Sequence, residues 1–374
     1  MAGIYIHVPF CRKRCSYCDF HFSTTFEKYR SNLIEKISQE ISFRKNELQA
    51  PLETIYFGGG TPSILDKEEL SLLLNELKMS FGIDSVKELT LEVNPEDVTR
   101  ESLSVWKSLG INRLSMGIQS LKEADLHWMN RAHTAIDGFL AVKLADQEGF
   151  NRINVDLIYG LPDLSLKQWA DTLEKIIELP VNHISAYCLT VEQKTALYKL
   201  VNKGAFNMPL EEDVAAQFEL LKEVLQGKGF DQYEVSNFAK KDGEAIHNTN
   251  YWRGKPYLGF GPSAHSYNGK TRRWNVADNL KYLKADFNTK HWFEEELLNE
   301  KDKWNELFLT GLRTKWGVDF NAIIQLGGMH KSEENRLNYW ESHGCLVLKG
   351  HSLVLTQKGM LLADKIAQDF FRIS

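Results

Sequence analysis

Cysteine is scarce in this chain: five residues in 374, and three of them, Cys11, Cys15 and Cys18, crowd one stretch of eight. Five thiols cannot all pair, and three in one loop do not staple a fold, so a secreted disulfide scaffold is excluded. The pattern suits a reducing cytoplasm and a metal site. There is no run of 18 apolar residues, hence no expected membrane-spanning helix. The opening "MAGIYIHVPF" has no charged segment followed by a long apolar one, so no cleaved signal peptide is expected. A cytoplasmic location is therefore expected, with any membrane association expected to be peripheral and through a partner. Positive charge is not in excess either: 45 Lys and Arg against 50 Asp and Glu give a net charge of -5. That balance offers no support for nonspecific nucleic-acid binding, and no nucleic-acid partner is expected. Low-complexity segments and long linkers are also missing, so the parts of the chain are expected to pack together.

What is present is an ordinary globular composition, 43% hydrophobic and 25% charged, on a chain long enough for a large core and more than one domain. Six short apolar runs read as buried parallel strands: 4–8, 54–58, 89–93, 113–118, 153–160 and 183–189. Between them lie stretches with helical spacing of apolar residues, among them 26–45, 66–81 and 165–179. The last starts on a Ser165 cap and stops before Pro180. Six βα repeats over residues 1–205 predict an α/β fold, a partial (β/α)6 TIM-like barrel. A full eightfold barrel takes about 250 residues, and the repeat fades near 205. Residues 206–295 form an aromatic-rich α/β extension. In 296–374, helical stretches at 302–314, 319–326 and 331–343 lead to two short strands around Lys349 and Gly350. A last helix begins at Thr356, and the whole reads as a winged-helix-like α+β module.

The cysteine loop follows the first predicted strand. Structural zinc takes four ligands, and the remaining cysteines do not supply one: Cys188 sits in a predicted strand and Cys345 starts another, so both read as small buried residues. His7 and His21 are close enough in sequence to complete a zinc site. Thiolates, however, are the usual ligands of iron–sulfur clusters. Three on a four-iron cube leave one iron for an external ligand, and S-adenosylmethionine can chelate it and be cleaved to a radical by an electron from the cluster. The spacing C-x3-C-x2-C, with Tyr17 before the last Cys, resembles the signature of the radical S-adenosylmethionine superfamily. The basic triplet Arg12, Lys13 and Arg14 between the cysteines reads as a solvated run. Unusual residues also fall where successive strands end, the face on which barrels carry their functional groups: "FGGGTP" at 57–62, then Glu92, Gln119 and Asp156. Singly, each has a plain reading as a turn or a helix cap; together at one rim that reading weakens.

The segments "IYIHVPFCRKRCSYCDF", "GGGTP", "LEVNPE", "RLSMGIQS" and "NVDLIYGLP" resemble the family of oxygen-independent coproporphyrinogen III oxidase and its relatives, and the likeness runs from about residue 3 through the C-terminal module. It implies a [4Fe-4S] cluster on Cys11, Cys15 and Cys18 and a bound S-adenosylmethionine, with a reducing electron donor as partner. Tyr5 and Tyr17 would flank the sulfonium ligand, and Gly59, Gly60 and Thr61 would meet its methionine amino group. Glu92, Gln119, Arg131 and Asp156 would hold the rest. An Arg can pair with a carboxylate, and an acid can accept from ribose hydroxyls.

Within the family, the oxidase carries a further cysteine two residues after the third cluster ligand, where this chain has Phe20, and it has a longer segment before the cysteine motif. "CDF" is similar instead to a sister group of haem chaperones, and "HNTNYW" at 247–252 matches that group's HNxxYW signature. The likeness implies haem or a porphyrin as ligand, delivered to a haem-acceptor protein. His247 is the candidate axial ligand, with Tyr251 and Trp252 against the porphyrin face; the plain reading is a hydrogen-bonded core histidine. "GFGPSAHS" at 259–266 makes His265 a second candidate. Three readings stand: a haem chaperone that retains the cluster and S-adenosylmethionine; an enzyme that oxidatively decarboxylates two propionates to vinyls; and a nucleic-acid-linked radical enzyme, which the acidic balance opposes. Whether the chain catalyses a reaction is left open.

Overall fold

The computed structural model describes residues 1–373. Strands β1 (Ala2–Val8), β2 (Leu52–Gly59), β3 (Glu88–Val93), β4 (Arg113–Gln119), β5 (Ile153–Tyr159) and β6 (His183–Cys188) alternate with helices α1 (Arg30–Phe43), α2 (Lys67–Phe81), α3 (Arg100–Ser108), α4 (Glu123–Trp128), α5 (Ala135–Gln147) and α6 (Leu166–Ile177). The six strands pair in sequence order and all in parallel, so the expected βα repeats form a partial TIM-like barrel. Helix starts are written locally. Asp66 with Glu69 and Ser165 with Gln168 form reciprocal capping boxes that satisfy first-turn amides.

Alternation along the strands explains how wholly buried runs also build a site. Ile4, Ile6, Ile55, Phe57, Leu89, Leu91, Leu114, Met116, Ile153, Val155 and Ile184 belong to the main hydrophobic core, together with apolar residues of the surrounding helices. The intervening positions are polar and bond to one another: Asn154 donates to Ser115 Oγ and to Asp156 Oδ1, both at 2.7 Å, and Ser185 donates to Asn154 Oδ1 at 3.1 Å. The interior is thus a hydrogen-bonded polar lumen, in which buried groups find partners within the barrel.

After β6 come α7 (Ala196–Asn202), α8 (Glu211–Gln226), β7 (Asp231–Glu234), β8 (Asn237–Ala239), α9 (Ile246–Trp252), β9 (Tyr257–Phe260), β10 (His265–Tyr267), β11 (Thr271–Asn275), α10 (Asn279–Leu283) and β12 (Phe293–Leu297). Residues 206–295 do not build a layer of their own. They lengthen the barrel sheet at both edges, giving the order β12-β11-β10-β9-β1-β2-β3-β4-β5-β6-β8-β7. Strand β9 runs parallel to β1, with Gly3 beside Tyr257 and Ile6 beside Phe260. A buried network ties this edge to α1. Arg44 donates to Glu40 at 2.9 Å, to the Gly259 carbonyl at 2.8 Å and to Ser266 Oγ at 3.1 Å; Glu40 also accepts from the Gly261 amide, from Asn275 and from the Tyr282 hydroxyl.

The remainder has a core of its own around Trp304, Phe308, Trp340, Leu353 and Phe370. Its elements are α11 (Glu300–Gly311), β13 (Val318–Asp319), α12 (Phe320–Gln325), α13 (Lys331–Ser342), β14 (Leu346–Lys349), β15 (Ser352–Leu355), α14 (Gln357–Met360) and α15 (Ala363–Asp369). Helices α11 to α13 and the antiparallel sheet β13-β15-β14 follow one another in winged-helix order. The expected single last helix is two, α14 and α15, broken at Leu361 and Leu362. Among the described residues no helix is long and apolar enough to cross a membrane.

Candidate functional site

A cavity of about 440 Å3 opens at the C-terminal ends of the parallel strands, within the size range of small-molecule sites. Eleven of the twelve residues expected for cluster and S-adenosylmethionine line it: Cys11, Cys15, Cys18, Tyr17, Gly59, Gly60, Thr61, Glu92, Gln119, Arg131 and Asp156. Tyr5 is the exception. It packs behind the wall, stacked on Tyr56 at 6.0 Å with its hydroxyl 3.3 Å from His7 Nδ1.

The loop between β1 and α1 carries the three cysteines, half-buried and unpaired. Its ends are clipped together by Cys11 N–H to the Ser23 carbonyl at 3.0 Å and Ser23 N–H to the Pro9 carbonyl at 2.9 Å. Its middle is held from outside: Ser16 N–H donates to the Met129 carbonyl at 3.1 Å, the Leu197 amide donates to the Ser16 carbonyl at 2.8 Å, and Asn130 donates to the Arg14 carbonyl at 2.8 Å. Of the basic triplet, Arg12 pairs with Asp97 and Lys13 lines the cavity. The loop therefore holds its shape through contacts with three later parts of the chain.

Two thiols have donors aimed at them. Thr61 Oγ1 lies 3.4 Å from Cys11 Sγ, and Arg131 Nη1 lies 3.4 Å from Cys15 Sγ. Arg131 is fixed by its other nitrogen, which donates to Asn94 Oδ1 at 2.7 Å and to the Gly117 carbonyl at 2.8 Å; its buried Nε has no partner. Burial pushes the Cys11 thiol up to about 12 and the Cys18 thiol to about 11, so without iron both are protonated, and metal binding must displace those protons. Backbone fit is tight at Gly60: a Cβ there would lie 2.5 Å from the Phe10 carbonyl oxygen. Only glycine lets the end of β2 approach the cysteine loop so closely. Gln119 ends β4 with φ of 69°, a strained conformation for a non-glycine residue and one found at ligand sites.

Glu92 accepts from the Tyr56 hydroxyl at 2.8 Å and the Gly59 amide at 3.2 Å. Burial raises its carboxyl to about 7 despite these donors. Asp156 is likewise raised by burial, against the hydrogen bond from Asn154.

His7 and His21 are spent elsewhere: His7 Nε2 meets the His21 carbonyl at 2.9 Å, and His21 Nε2 meets Asn279 Oδ1 at 2.7 Å. Among the described residues, no three His, Cys, Asp or Glu side chains converge on one metal ion. The cysteines thus lack the histidine ligands a closed zinc site would need. Phe20 stands at the cavity mouth, 69% exposed.

Among the lining residues that the sequence missed are Cys188 and Tyr187. Cys188, expected to be buried, is exposed, because it is the last residue of β6 and the strand end opens onto the cavity. Its neighbour Tyr187 also lines the site; position at a strand end was the available signal for both. Cys345 is buried as expected. The structure brings neither His247 nor His265 to this cavity. His247 is 1% exposed, with Nδ1 2.8 Å from Thr54 Oγ1 and Nε2 2.8 Å from the Tyr251 hydroxyl. Both ring nitrogens are committed, and burial lowers its pKa to about 3. His265 is exposed beside Trp274.

Comparison with known proteins follows the same division of the chain. Residues 5–176 match the model of the radical SAM superfamily, and residues 298–362 match the HemN C-terminal domain. The haem chaperone HemW of Bacillus subtilis is 33% identical, with 98% of each chain covered; that of Mycobacterium tuberculosis H37Rv is 35% identical, covering 98% of this chain and 94% of the relative. Among solved structures, the coproporphyrinogen III oxidase HemN of Escherichia coli superposes with a TM-score of 0.85 at 23% identity, covering 99% of this chain and 89% of that one.

Proposed function

This chain belongs to the HemN family of radical S-adenosylmethionine proteins, close to the haem chaperone HemW, and we propose that it binds haem and delivers it to acceptor proteins. The observation that carries this reading is the likeness to HemW along 98% of both chains. Phe20 supports it, standing at the cavity mouth where the oxidase resembles this loop but has a cysteine.

Membership of the superfamily implies a [4Fe-4S] cluster and S-adenosylmethionine. The residues around the first cavity fit both. Cys11, Cys15 and Cys18 would hold three irons, with Thr61 and Arg131 donating to the first two sulfurs and offsetting their charge. When bound, the cluster would supply one electron at low potential to S-adenosylmethionine. Around that ligand, Gly59, Gly60 and Thr61 present backbone that can approach closely, Tyr17 closes one side, and Arg131, Gln119, Glu92 and Asp156 offer polar groups.

Glu92 makes this binding pH-dependent. Its carboxyl is neutral below about 7, and a neutral carboxyl is a weaker acceptor for ligand hydroxyls or an ammonium. S-adenosylmethionine affinity should therefore fall as pH drops below about 7, by up to tenfold per unit for one required ionisation. Equilibrium dialysis across pH checks this, and Glu92→Gln should flatten the profile; an unchanged slope in that variant would remove Glu92 from the site.

The function is tested by anaerobic reconstitution of the cluster, followed by haem or coproporphyrinogen III offered to the same sample. The expected result is a stable Soret absorbance that passes to an apo-haemoprotein, with no protoporphyrinogen formed. Turnover of the porphyrinogen with loss of S-adenosylmethionine would establish the oxidase reading in its place.

A further inference from the structure

We propose that haem occupies a second cavity, between the barrel and the C-terminal module, and that Tyr187 is its iron ligand. The inference rests on the haem reading above.

This cavity measures about 910 Å3, near the top of the range of about 300–1,000 Å3 for cofactor sites. Its walls come from the end of β6, from α9 and β9–β11, and from α11 to α12. Tyr251 and Trp252, the last two residues of HNTNYW, face it, and so does Trp316 from the C-terminal module. Flat aromatic walls suit a planar macrocycle, whose large apolar faces gain from ring contact.

Haem also carries two carboxylates, and the lining supplies cations for them. Arg253 lies 4.2 Å over the Trp316 ring and Arg313 5.5 Å over the Trp252 ring. Arg272 is paired with Glu306 at 2.7 Å and Arg313 with Asp364, whereas Arg253 and Lys303 form no ion pair among the described residues. Arg253, spread over an indole face and left without an acid, and the unpaired Lys303 are suited to capture propionates.

The iron needs a ligand, and the lining contains no histidine, cysteine or methionine. His247 is sealed in the core with both nitrogens used. Tyrosine remains, a known ligand of ferric haem. Four tyrosines face the cavity, and Tyr251 has its hydroxyl occupied by His247. Tyr257 and Tyr267 are half-buried, whereas Tyr187 is 44% exposed and is the one residue shared by both cavities. Ligation is a substitution without redox change: the phenol loses its proton to solvent, its oxygen forms the bond to ferric iron, and a bound water leaves.

The test titrates haemin into the cluster-loaded full chain. Wild-type protein should give a high-spin ferric spectrum with a phenolate-to-iron charge-transfer band, and resonance Raman of the ferrous form should lack an iron–histidine stretch. Tyr187→Phe should lose the charge-transfer band, while Tyr257→Phe keeps it. The double variant Arg253→Glu, Lys303→Glu should bind haemin at least tenfold more weakly, with iron–sulfur content unchanged, and Lys241→Glu on the outer surface should bind as wild type does. An iron–histidine stretch, or a band surviving in Tyr187→Phe, would overturn the assignment of the ligand. Unchanged affinity in the double variant would overturn the location. Failure of wild type to bind haemin would instead sink the haem reading itself.

Discussion

Replacement of Cys15 by Ala is expected to remove the iron of the reconstituted protein almost completely, and with it the binding of S-adenosylmethionine. In the proposed reading the three thiols of the loop, which line the first cavity, hold the cluster, and a cube held by two of them would lose a third of its protein attachment. The fold should be untouched, because Cys15 belongs to no hydrophobic cluster and its loop is held by backbone bonds at Ser16 and Ser23 and by the Asn130 side-chain amide on the Arg14 carbonyl. Thermal unfolding of the apo-protein should therefore match wild type, while iron and sulfide analysis falls from about four per chain toward zero. Cys188→Ala is the internal control. It removes a thiol from the same cavity, yet Cys188 lies on β6, away from the loop, and iron content should be unchanged. Equal loss in both variants would mean that the loop alone does not hold the cluster.

The second large effect is on stability. Glu40→Ala should lower the unfolding free energy by about 2–4 kcal/mol, the cost of breaking one of the two ion pairs of Arg44 and leaving a buried amide and a buried hydroxyl without acceptors. Both Glu40 and Arg44 have fully buried side chains. Glu40 accepts from Gly261, Asn275, Tyr282 and Arg44; truncation leaves the Gly261 amide and the Tyr282 hydroxyl without an acceptor, while Arg44 keeps Glu47 and the Gly259 carbonyl and Asn275 keeps the Gly261 carbonyl. The double replacement Glu40→Met, Arg44→Met should recover only the part of the loss that the buried Arg44 charge carries, since the Gly261 amide and the Tyr282 hydroxyl still lack their acceptor. Denaturant titration of the three proteins reads this directly. A loss below about 1 kcal/mol for Glu40→Ala would mean that water or rearrangement satisfies the freed donors.

How far these features could be read beforehand depended on the range of the interaction. The six barrel strands and the helix starts at Asp66 and Ser165 were legible because periodicity and capping are local. The first cavity was legible as well, because in a parallel barrel every strand end meets the same rim, so GGGTP, Glu92, Gln119 and Asp156 need no long-range knowledge to be grouped. The placement of residues 206–295 was not. Whether β9 pairs beside β1 depends on contacts between residue 3 and residue 257, and no local period encodes them. His247 shows the same limit: its partners Thr54 and Tyr251 come from β2 and its own helix, and only the fold reveals that they leave the imidazole no free nitrogen. Of the second cavity, built from residues as far apart as 187 and 326, the sequence offered only Tyr251 and Trp252.

The pairing of β9 with β1 carries a consequence for biosynthesis. Strand β1 leads directly into the cysteine loop, yet its outer neighbour is made only after residue 257. At about 5–20 residues per second, the roughly 250 residues between them take on the order of 10–50 s to emerge. Throughout that interval β1 is an open edge of the nascent sheet, a template for pairing with other chains. Met129 and Leu197, which hold the loop at Ser16, also arrive late. On the ribosome, the three cysteines are thus exposed before the pocket that shapes their loop exists, and loading of the proposed cluster is expected only in the completed chain.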